Sequence, residues 1–343
     1  MIRLLFQTGF FSFFIAGLAL TSSAQAQTFF TNDAPDRIAC WDTPPVEVGM
    51  KWCSEDFVRI RGVRFFKAAD VPGPFRINLW SANGQLLNAS SEFTAEGERW
   101  IQQDFPTPLQ LAPGTTYTAA YFTASGGYAY EYDYFSAGGI RSGNQLAFAD
   151  RQDGRNGVYR YGGGFPTDSF RASNYFVDVV IEQTAPSPLT IFPLCERPRV
   201  AASTDTKPVE LGIKFTPSQS GRILAVRAYR VTQPGYPARA HVWSSEGQLL
   251  GSGVSYEGGG SLPGWIVIPL TIKVEAGQTY VASYHAPSGG YAESTEYLND
   301  AYTRNGFTVP SGGGVRSYGP AGTFPDQASR NAHYFVDIQF KPD

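Results

Sequence analysis

The strongest constraint on the fold is a segment that occurs twice in the chain. Residues 80–87 read Trp-Ser-Ala-Asn-Gly-Gln-Leu-Leu, and residues 243–250, 163 positions later, read Trp-Ser-Ser-Glu-Gly-Gln-Leu-Leu. The same offset relates three further pairs of segments, which are 46–51 and 209–214, 114–117 and 277–280, and 125–129 and 288–292. An offset shared over this span predicts two homologous domains in tandem. Any fold assigned to one half must therefore suit the other.

The ends of the two copies give the predicted domain boundaries. The first repeat is assigned to residues 27–182 and the second to residues 190–343. Between them, residues 183–189 form a short Pro-rich linker that we expect to hold the domains apart semi-rigidly. Each repeat, at about 155 residues, is large enough to bury a single core without disulfides.

Short alternating strands and frequent turn signals predict an all-β chain. Apolar and polar residues alternate over residues 75–80, as in a strand with one buried face. Asn83-Gly84 follows and predicts a type I′ hairpin turn, and Gly62 lies where the apolar alternation of another strand shifts, which predicts a β-bulge. The composition, with 37 Gly, 24 Pro and 15% aromatic residues, suits this pattern. We expect two tandem antiparallel β-sandwich domains, jelly-roll-like, after a cleaved signal peptide.

The N-terminus predicts export. Residues 1–26 carry a single charge, at Arg3, then an apolar run and the small-residue site Ala24-Gln25-Ala26, the pattern of a secretory signal peptide. A transmembrane anchor is the weaker interpretation because the apolar run is short. We therefore expect a secreted or periplasmic protein, cleaved after Ala26, with no stable membrane insertion.

The charge balance argues against nucleic acid as a partner. The formal net charge is −3, and removal of the signal peptide, whose only charge is Arg3, makes it −4. Nucleic-acid binding depends on the neutralisation of phosphates by clustered cations. The chain has no run of Lys and Arg that would provide them.

The chain has three cysteines, Cys40, Cys53 and Cys195. An odd number leaves at least one thiol unpaired. Hairpin counting places Cys40 beside Glu47, which disfavours a bridge between Cys40 and Cys53. Neither of these two recurs in the second repeat, so we do not expect the fold to depend on them.

A row of tyrosines is the best candidate for a ligand site. Tyr128, Tyr130, Tyr132 and Tyr134 alternate with other residues, and this pattern predicts four rings on one face of one strand. Sugar rings pack against such aromatic faces while polar side chains meet their hydroxyls, although a tyrosine-lined core is at least as common. The candidate ligand-binding residues are Tyr130, Glu131, Tyr132, Asp133, Tyr159 and Arg160.

The first repeat is also longer than the second between residues 135 and 161. The offset falls from 163 to 157 across this stretch, which places six extra residues in or near residues 149–157. Loops of this kind often carry binding sites. A neutral insertion explains the difference equally well and is the interpretation we favour.

The sequence gives weaker indications of a glycosidase site and of a metal site. Glu131 and Asp133, at i and i+2, would lie on one strand face as a glycosidase pair, but all histidines fall in the second repeat and no nucleophile motif is present. Acidic residues that recur near the repeat ends suggest a possible structural Ca²⁺ site. These candidate metal ligands are Asp42, Glu47 and Asp178, with their counterparts Asp205, Glu210 and Asp337.

The order of the shared segments resembles the bacterial domain-of-unknown-function family 4082. The segments that carry the resemblance are 46–51, 79–84, 114–117, 157–162 and 175–178. The resemblance implies an exported protein of the kind found beside adhesion-type and carbohydrate-active modules, and it brings no catalytic residues. The second repeat departs from it at residues 314–319, where Gly-Val-Arg-Ser-Tyr-Gly replaces Gly-Val-Tyr-Arg-Tyr-Gly.

Together these observations predict a non-catalytic binding or surface-interaction protein. Extracellular carbohydrate, a polysaccharide or a cell-surface glycan, is the leading ligand class. The alternatives are a structural or adhesin-type spacer that contacts an unknown protein and an undescribed glycan hydrolase.

Overall fold

The computed structural model describes residues 28–30, 33–185, 187–230, 238–255 and 264–343. The predicted signal peptide and its cleavage site lie outside these residues. The described part of the chain contains no helix, and so none with the length and hydropathy of a membrane-spanning segment. Antiparallel strands build both halves, as the alternating sequence predicts.

The described part of the first repeat contains thirteen strands, the last of which continues into the predicted linker as far as Ala185. They are β1 (Arg37–Ile38), β2 (Val46–Ser54), β3 (Phe57–Lys67), β4 (Phe75–Ser81), β5 (Leu86–Ala89), β6 (Arg99–Leu111), β7 (Thr116–Thr123), β8 (Ala129–Tyr130), β9 (Ile140–Ser142), β10 (Gln145–Ala147), β11 (Val158–Tyr161), β12 (Asp168–Ser169) and β13 (Val177–Ala185).

Eleven strands follow in the described part of the second repeat. They are β14 (Val209–Pro217), β15 (Gly221–Arg230), β16 (Ala238–Ser244), β17 (Leu249–Ser255), β18 (Gly264–Val274), β19 (Tyr280–Ala286), β20 (Tyr302–Arg304), β21 (Phe307–Val309), β22 (Gly314–Tyr318), β23 (Gln327–Ala328) and β24 (Val336–Pro342).

Each repeat is a sandwich of a large and a small sheet. In the first, the order β12-β11-β2-β7-β4-β5 forms most of the large sheet and β13-β3-β6 forms the small one. The second has the matching orders β17-β16-β19-β14 and β18-β15-β24. The core lies between the sheets, where Phe65 of β3 stacks on Tyr121 of β7 with ring centroids 3.9 Å apart. The predicted two tandem all-β domains are confirmed.

The structure contains the predicted β-bulge and the predicted hairpin, but the type of the hairpin turn differs from the prediction. The register shifts between Ile60 and Gly62 and again between Ile223 and Ala225, so the predicted bulge is present in both repeats. The hairpin at residues 82–84 also forms, but only Gly84 has a positive φ, at 85°. A type I′ turn needs two such residues. The type I′ assignment is therefore wrong, and Gly84 alone supplies the left-handed position.

The two repeats contact each other, contrary to the expectation that the linker holds them apart. Cys53 of β2 forms a disulfide with Cys195, and Cys40 remains a free, exposed thiol. The buried carboxylate of Glu55 accepts the backbone N–H of Leu194 at 2.8 Å. It also pairs with Arg304 of β20 at 3.2 Å. An ion pair and a covalent bond thus cross the junction.

The longer loop of the first repeat takes part in the same junction. Asp153, within residues 149–157, pairs with Arg197 at 3.4 Å. Asn156 is fully buried and accepts the backbone N–H of Lys51 at 2.7 Å. The longer loop therefore contacts the start of the second repeat through Asp153 and packs on its own repeat through Asn156.

Candidate functional site

An aromatic cavity of about 270 Å³ opens on the surface of the first repeat. Eight of its nine lining residues are aromatic, and the ninth is an aspartate. We call this set the aromatic cavity: Trp41, Asp42, Tyr128, Tyr130, Tyr132, Tyr159, Tyr161, Phe170 and Tyr175.

Separate parts of the chain supply the walls. β1 pairs with β8, which brings residues 41 and 42, just after β1, beside the tyrosines around β8. β11 adds Tyr159 and Tyr161, which lie on one strand face because side chains alternate with a period of two. The segment between β12 and β13 contributes Phe170 and Tyr175. The cavity therefore depends on strand pairing between distant residues.

The rings form a continuous series of contacts. The closest pair is Tyr130 and Tyr132, whose centroids are 4.8 Å apart. Phe170 extends the series beyond Tyr132 at 5.7 Å, with the rings edge to face. At the other end Tyr128 contacts Tyr175 at 5.5 Å, also edge to face. Such offset and edge contacts stabilise aromatic clusters, so the walls hold one another in place.

Asp42 is the polar group at the base of the cavity. Its Oδ2 accepts the hydroxyl of Tyr128 at 2.8 Å and that of Tyr161 at 2.7 Å. Burial, the hydrogen bond to Asp42 and its negative charge raise the pKa of Tyr128. The hydrogen bond to Asp42 and burial do the same for the pKa of Tyr161. Both hydroxyls stay neutral donors over the ordinary pH range.

Several walls are open to solvent. Trp41 is 74% exposed, Phe170 52% and Tyr161 49%. Large exposed aromatic residues grouped at one concave site indicate a contact surface for a ligand or partner. The guanidinium of Arg171 lies over the ring of Tyr132 at 4.6 Å, and that of Arg37 lies 5.1 Å from the same ring. Cations held over a ring in this way stabilise its position at the rim.

Three of the six predicted ligand residues line the cavity, and three do not. Tyr130, Tyr132 and Tyr159 are in its wall. Arg160 lies opposite Glu47 in the β11–β2 register, so alternation turns it to the other face from Tyr159. Glu131 alternates with its tyrosine neighbours in the same way and does not line the cavity.

Asp133 is also outside the cavity, because the predicted tyrosine strand ends early. β8 stops at Tyr130, and the chain turns over residues 132–135. Asp133 is exposed, has a φ of 59° and forms an ion pair with Arg171. Tyr134 leaves the row and packs on Phe30 at 6.2 Å. The prediction of four rings on one strand face is wrong, although three of them meet in the cavity.

The unusual backbone at Asp133 belongs to the fold. Its counterpart Glu296 has a φ of 62°, and in each repeat this residue donates its N–H to the carbonyl of an arginine, Arg171 or Arg330. Backbone strain that serves a functional site is expected only in the repeat that carries the site. Recurrence in both repeats assigns this conformation to the shared architecture.

The second repeat keeps the base of the cavity and loses most of its walls. Asp205 accepts the hydroxyl of Tyr318 at 2.6 Å, as Asp42 does that of Tyr161. Arg316 of β22 replaces a tyrosine and reaches the hydroxyl of Tyr291 at 3.3 Å. Five wall positions differ, with Thr204 for Trp41, Glu293 for Tyr130, Thr295 for Tyr132, Arg316 for Tyr159 and Ser329 for Phe170.

The structure does not bring together the carboxylates considered for Ca²⁺. Asp42 binds tyrosine hydroxyls, whereas Glu47 accepts Asn78 at 2.9 Å and Trp80 at 2.8 Å. Asp178 accepts the N–H of Phe29 at 2.9 Å. In the second repeat the partners are Tyr318 for Asp205, His241 for Glu210 and Arg227 for Asp337. No group of three possible ligands occurs among the described residues.

Glu210 and the histidines near it form a buried polar cluster. The Nδ1 of His241 lies 2.7 Å from Oε1 of Glu210, and Ser283 donates to the same oxygen at 2.6 Å. Burial raises the pKa of Glu210, but these hydrogen bonds, with His285, outweigh it and lower the pKa overall. In the first repeat Asn78 takes the place of His241 and bonds Glu47 in the same way. The cluster is thus a shared structural contact.

Both the fold and the repetition define the chain as a tandem β-sandwich protein. The family profile described as "Domain of unknown function (DUF4082)" matches residues 32–177 and 195–336. The two matches cover more than half of the chain, so the chain belongs to the DUF4082 family in two tandem copies. No curated protein matches the chain at a significant level.

Proposed function

We propose that the protein binds extracellular carbohydrate, non-catalytically, through the aromatic cavity of the first repeat. The observation that carries this proposal is the concave group of rings with three exposed walls, Trp41, Tyr161 and Phe170. Pyranose rings have apolar C–H faces that pack on aromatic faces, while hydroxyls require polar partners. Asp42 and the tyrosine hydroxyls supply such partners at the base.

The size and composition of the cavity favour one or two sugar units over a protein loop. A volume of about 270 Å³ is near the lower end of small-ligand sites. The walls come from rigid strands and from a segment held by aromatic contacts, so little ordering is needed on binding. A binding role also fits the asymmetry between the repeats, because only the first has the walls.

The geometry supports binding over hydrolysis at this site. A glycosidase needs two carboxylates that flank the scissile bond. Glu131 and Asp133 do not line the cavity, and Asp133 is engaged by Arg171. Asp42 is the one carboxylate that does line it, so the cavity has no carboxylate pair.

The test is affinity electrophoresis of the full chain through gels that contain different soluble polysaccharides. We expect at least one polymer to retard the wild-type protein. A variant with Trp41→Thr, Tyr132→Thr and Phe170→Ser, the residues that the second repeat has at these positions, should run as in an empty gel while still showing a cooperative melting transition.

Two results would count against the proposal. Retardation of the triple variant equal to that of the wild type would remove the aromatic cavity as the site. Free migration of the wild type in every gel would favour the protein-contacting spacer. A matched change at the second repeat, Ser329→Ala, controls for the substitutions themselves and should leave retardation unchanged.

The proposal includes export to a periplasmic or extracellular site. Residues 1–26 have the features of a cleaved signal, and a Cys53–Cys195 disulfide suits an oxidising compartment. N-terminal sequencing of protein recovered from the producing cells should start at Gln27. A start at Met1 would contradict this part of the proposal.

A further inference from the structure

The second repeat has a cation of its own at the position that corresponds to the aromatic cavity. Arg316 of β22 stands where the first repeat has Tyr159, and its Nη1 donates to the hydroxyl oxygen of Tyr291 at 3.3 Å. Its guanidinium carbon lies 5.4 Å from the ring centroid of Tyr318. These two rings are the counterparts of two cavity residues, Tyr128 and Tyr161.

The carboxylate at the base of that second site is also balanced by cations. The hydroxyl of Tyr318 is the main cause that lowers the pKa of Asp205. The positive charges of Arg316 and Lys207 lower it further, and the backbone N–H of Lys207 donates to Oδ1 of Asp205 at 3.0 Å. The first repeat has uncharged residues at these two positions, Tyr159 and Pro44.

Asp42, the counterpart of Asp205, therefore lacks a counter-charge. It is 7% exposed, and a proline at position 44 has no N–H to donate to it. Within the described residues its Oδ1 accepts no hydrogen bond and its carboxylate forms no ion pair. Asp42 lines the cavity, and Oδ1 is not a fully enclosed atom, so a ligand can reach it. A buried carboxylate is stabilised by a cationic partner.

The aromatic walls favour a cation as well. A ring face attracts a cation that lies within about 6 Å of its centroid, and eight of the nine residues that line the cavity are aromatic. An ammonium group inside it would have rings around it and the carboxylate of Asp42 at the base.

The charges at the rim do not reverse this preference. Arg171 is paired with Asp133 and does not line the cavity. Arg37 does not line it either, and it lies opposite Tyr130, next to Glu131, in the β1–β8 pair. Burial and the negative charges of Asp36 and Asp33 raise the pKa of Glu131. Three carboxylates thus lie near one another on the side of Arg37.

We infer that the aromatic cavity binds a sugar unit with a protonated amino group, whose ammonium donates to Oδ1 of Asp42. The inference rests on the proposed function and narrows its ligand class to amino sugars. The ammonium would lie where the second repeat has the guanidinium of Arg316. A charge-assisted hydrogen bond of this kind is about twice as strong as a neutral one.

The test is calorimetric titration of the full chain with two tetrasaccharides of the same linkage, one of glucosamine and the other cellotetraose, below the pKa of the sugar amine. Cellotetraose has a hydroxyl where the first has an ammonium, so the ratio of the affinities measures the charge requirement. We expect the glucosamine tetrasaccharide to bind about tenfold to a hundredfold more tightly, from a hydrogen bond to a charged group.

Two variants test the role of the charge. Tyr159→Arg gives the first repeat the cation of the second, which the same fold accommodates as Arg316, and it should lose glucosamine binding. Leu86→Arg adds the same charge at a residue that is 47% exposed and outside the cavity, and it should bind as the wild type does. Asp42→Asn keeps an oxygen for the tyrosine hydroxyls and should lower the ratio of affinities about tenfold.

Three results would overturn the inference. Equal affinity of the wild type for both tetrasaccharides would do so and leave the proposed function standing, since both sugars then bind. An unchanged preference in Tyr159→Arg would assign the preference to the net negative charge of the whole chain. Binding of neither tetrasaccharide would also overturn it, and the gels with other polysaccharides then decide the proposed function separately.

Discussion

Removal of the Cys53–Cys195 disulfide should destabilise the first repeat and leave the second nearly unchanged. The bond closes a loop with a sequence separation of 142 residues, from β2 to just beyond β13. That loop contains almost all of the first repeat. The chain-entropy relation gives about 5 kcal/mol for a loop of this length at 25 °C, and measured losses on removing native disulfides are about 2–5 kcal/mol.

The variant is Cys53→Ala with Cys195→Ala, and the control is Cys40→Ala, since Cys40 is exposed and free. Urea unfolding followed by tryptophan fluorescence measures each transition. With a slope of about 2 kcal/mol/M, a loss of about 4 kcal/mol lowers the first midpoint by about 2 M. A first midpoint equal to that of the control would refute the reasoning, as would an equal fall in both transitions.

Two further predictions concern pH and backbone packing. Burial raises the pKa of Asp337 from 3.8 to about 6, so its contribution to stability is fullest below pH 3.8 and is lost as the pH rises through about 6. Asp337→Asn should flatten that part of the melting-temperature profile, and an unchanged profile would contradict it. Gly62→Ala should destabilise the fold by more than about 1 kcal/mol, because a Cβ would lie 2.2 Å from the carbonyl of Gln103. Gly138→Ala, with nothing within 4 Å of its Cβ and no positive φ, is the control, and equal melting temperatures would contradict the reasoning.

The fold could be predicted from the sequence because the same strand, turn and bulge patterns occur in both repeats. Gly62 and its partner bulge near Ile223 show the same parity shift, and both appear in the structure. The turn type could not be predicted in the same way, since Asn83-Gly84 is compatible with several types of hairpin turn and the register of the flanking strands decides which type forms. The contact between the repeats had no such signal. Cys53 and Cys195 have no counterparts at the matching positions, and the repeat pattern is silent about features that occur once.

The site was predicted only where local alternation decides it. Tyr130 and Tyr132 were found because they are neighbours in sequence, and Tyr159 because it lies in a shared segment. Trp41 and Phe170 were missed, since only the pairing of distant segments brings them to the same cavity. One sequence signal was available for them, because both are replaced by small polar residues in the second repeat.

Glu131 and Arg160 were assigned to the site for the opposite reason. Each is next to a tyrosine in sequence, and a period of two places it on the other face of the strand. Adjacent residues of a strand lie on opposite faces and so do not share a site, whereas residues at i and i+2 lie on the same face and can share one. Even that rule fails at Tyr134, because the strand ends at Tyr130 and Tyr134 packs on Phe30 instead.

The most direct test of the account is the stoichiometry of sugar binding. An oligosaccharide of the polymer that retards the protein would be titrated into the full chain in a calorimeter. The account predicts one site per chain, and none in the variant with Trp41→Thr, Tyr132→Thr and Phe170→Ser, because only the first repeat has the aromatic walls. Two equivalent sites per chain, or one site that survives in the variant, would contradict it.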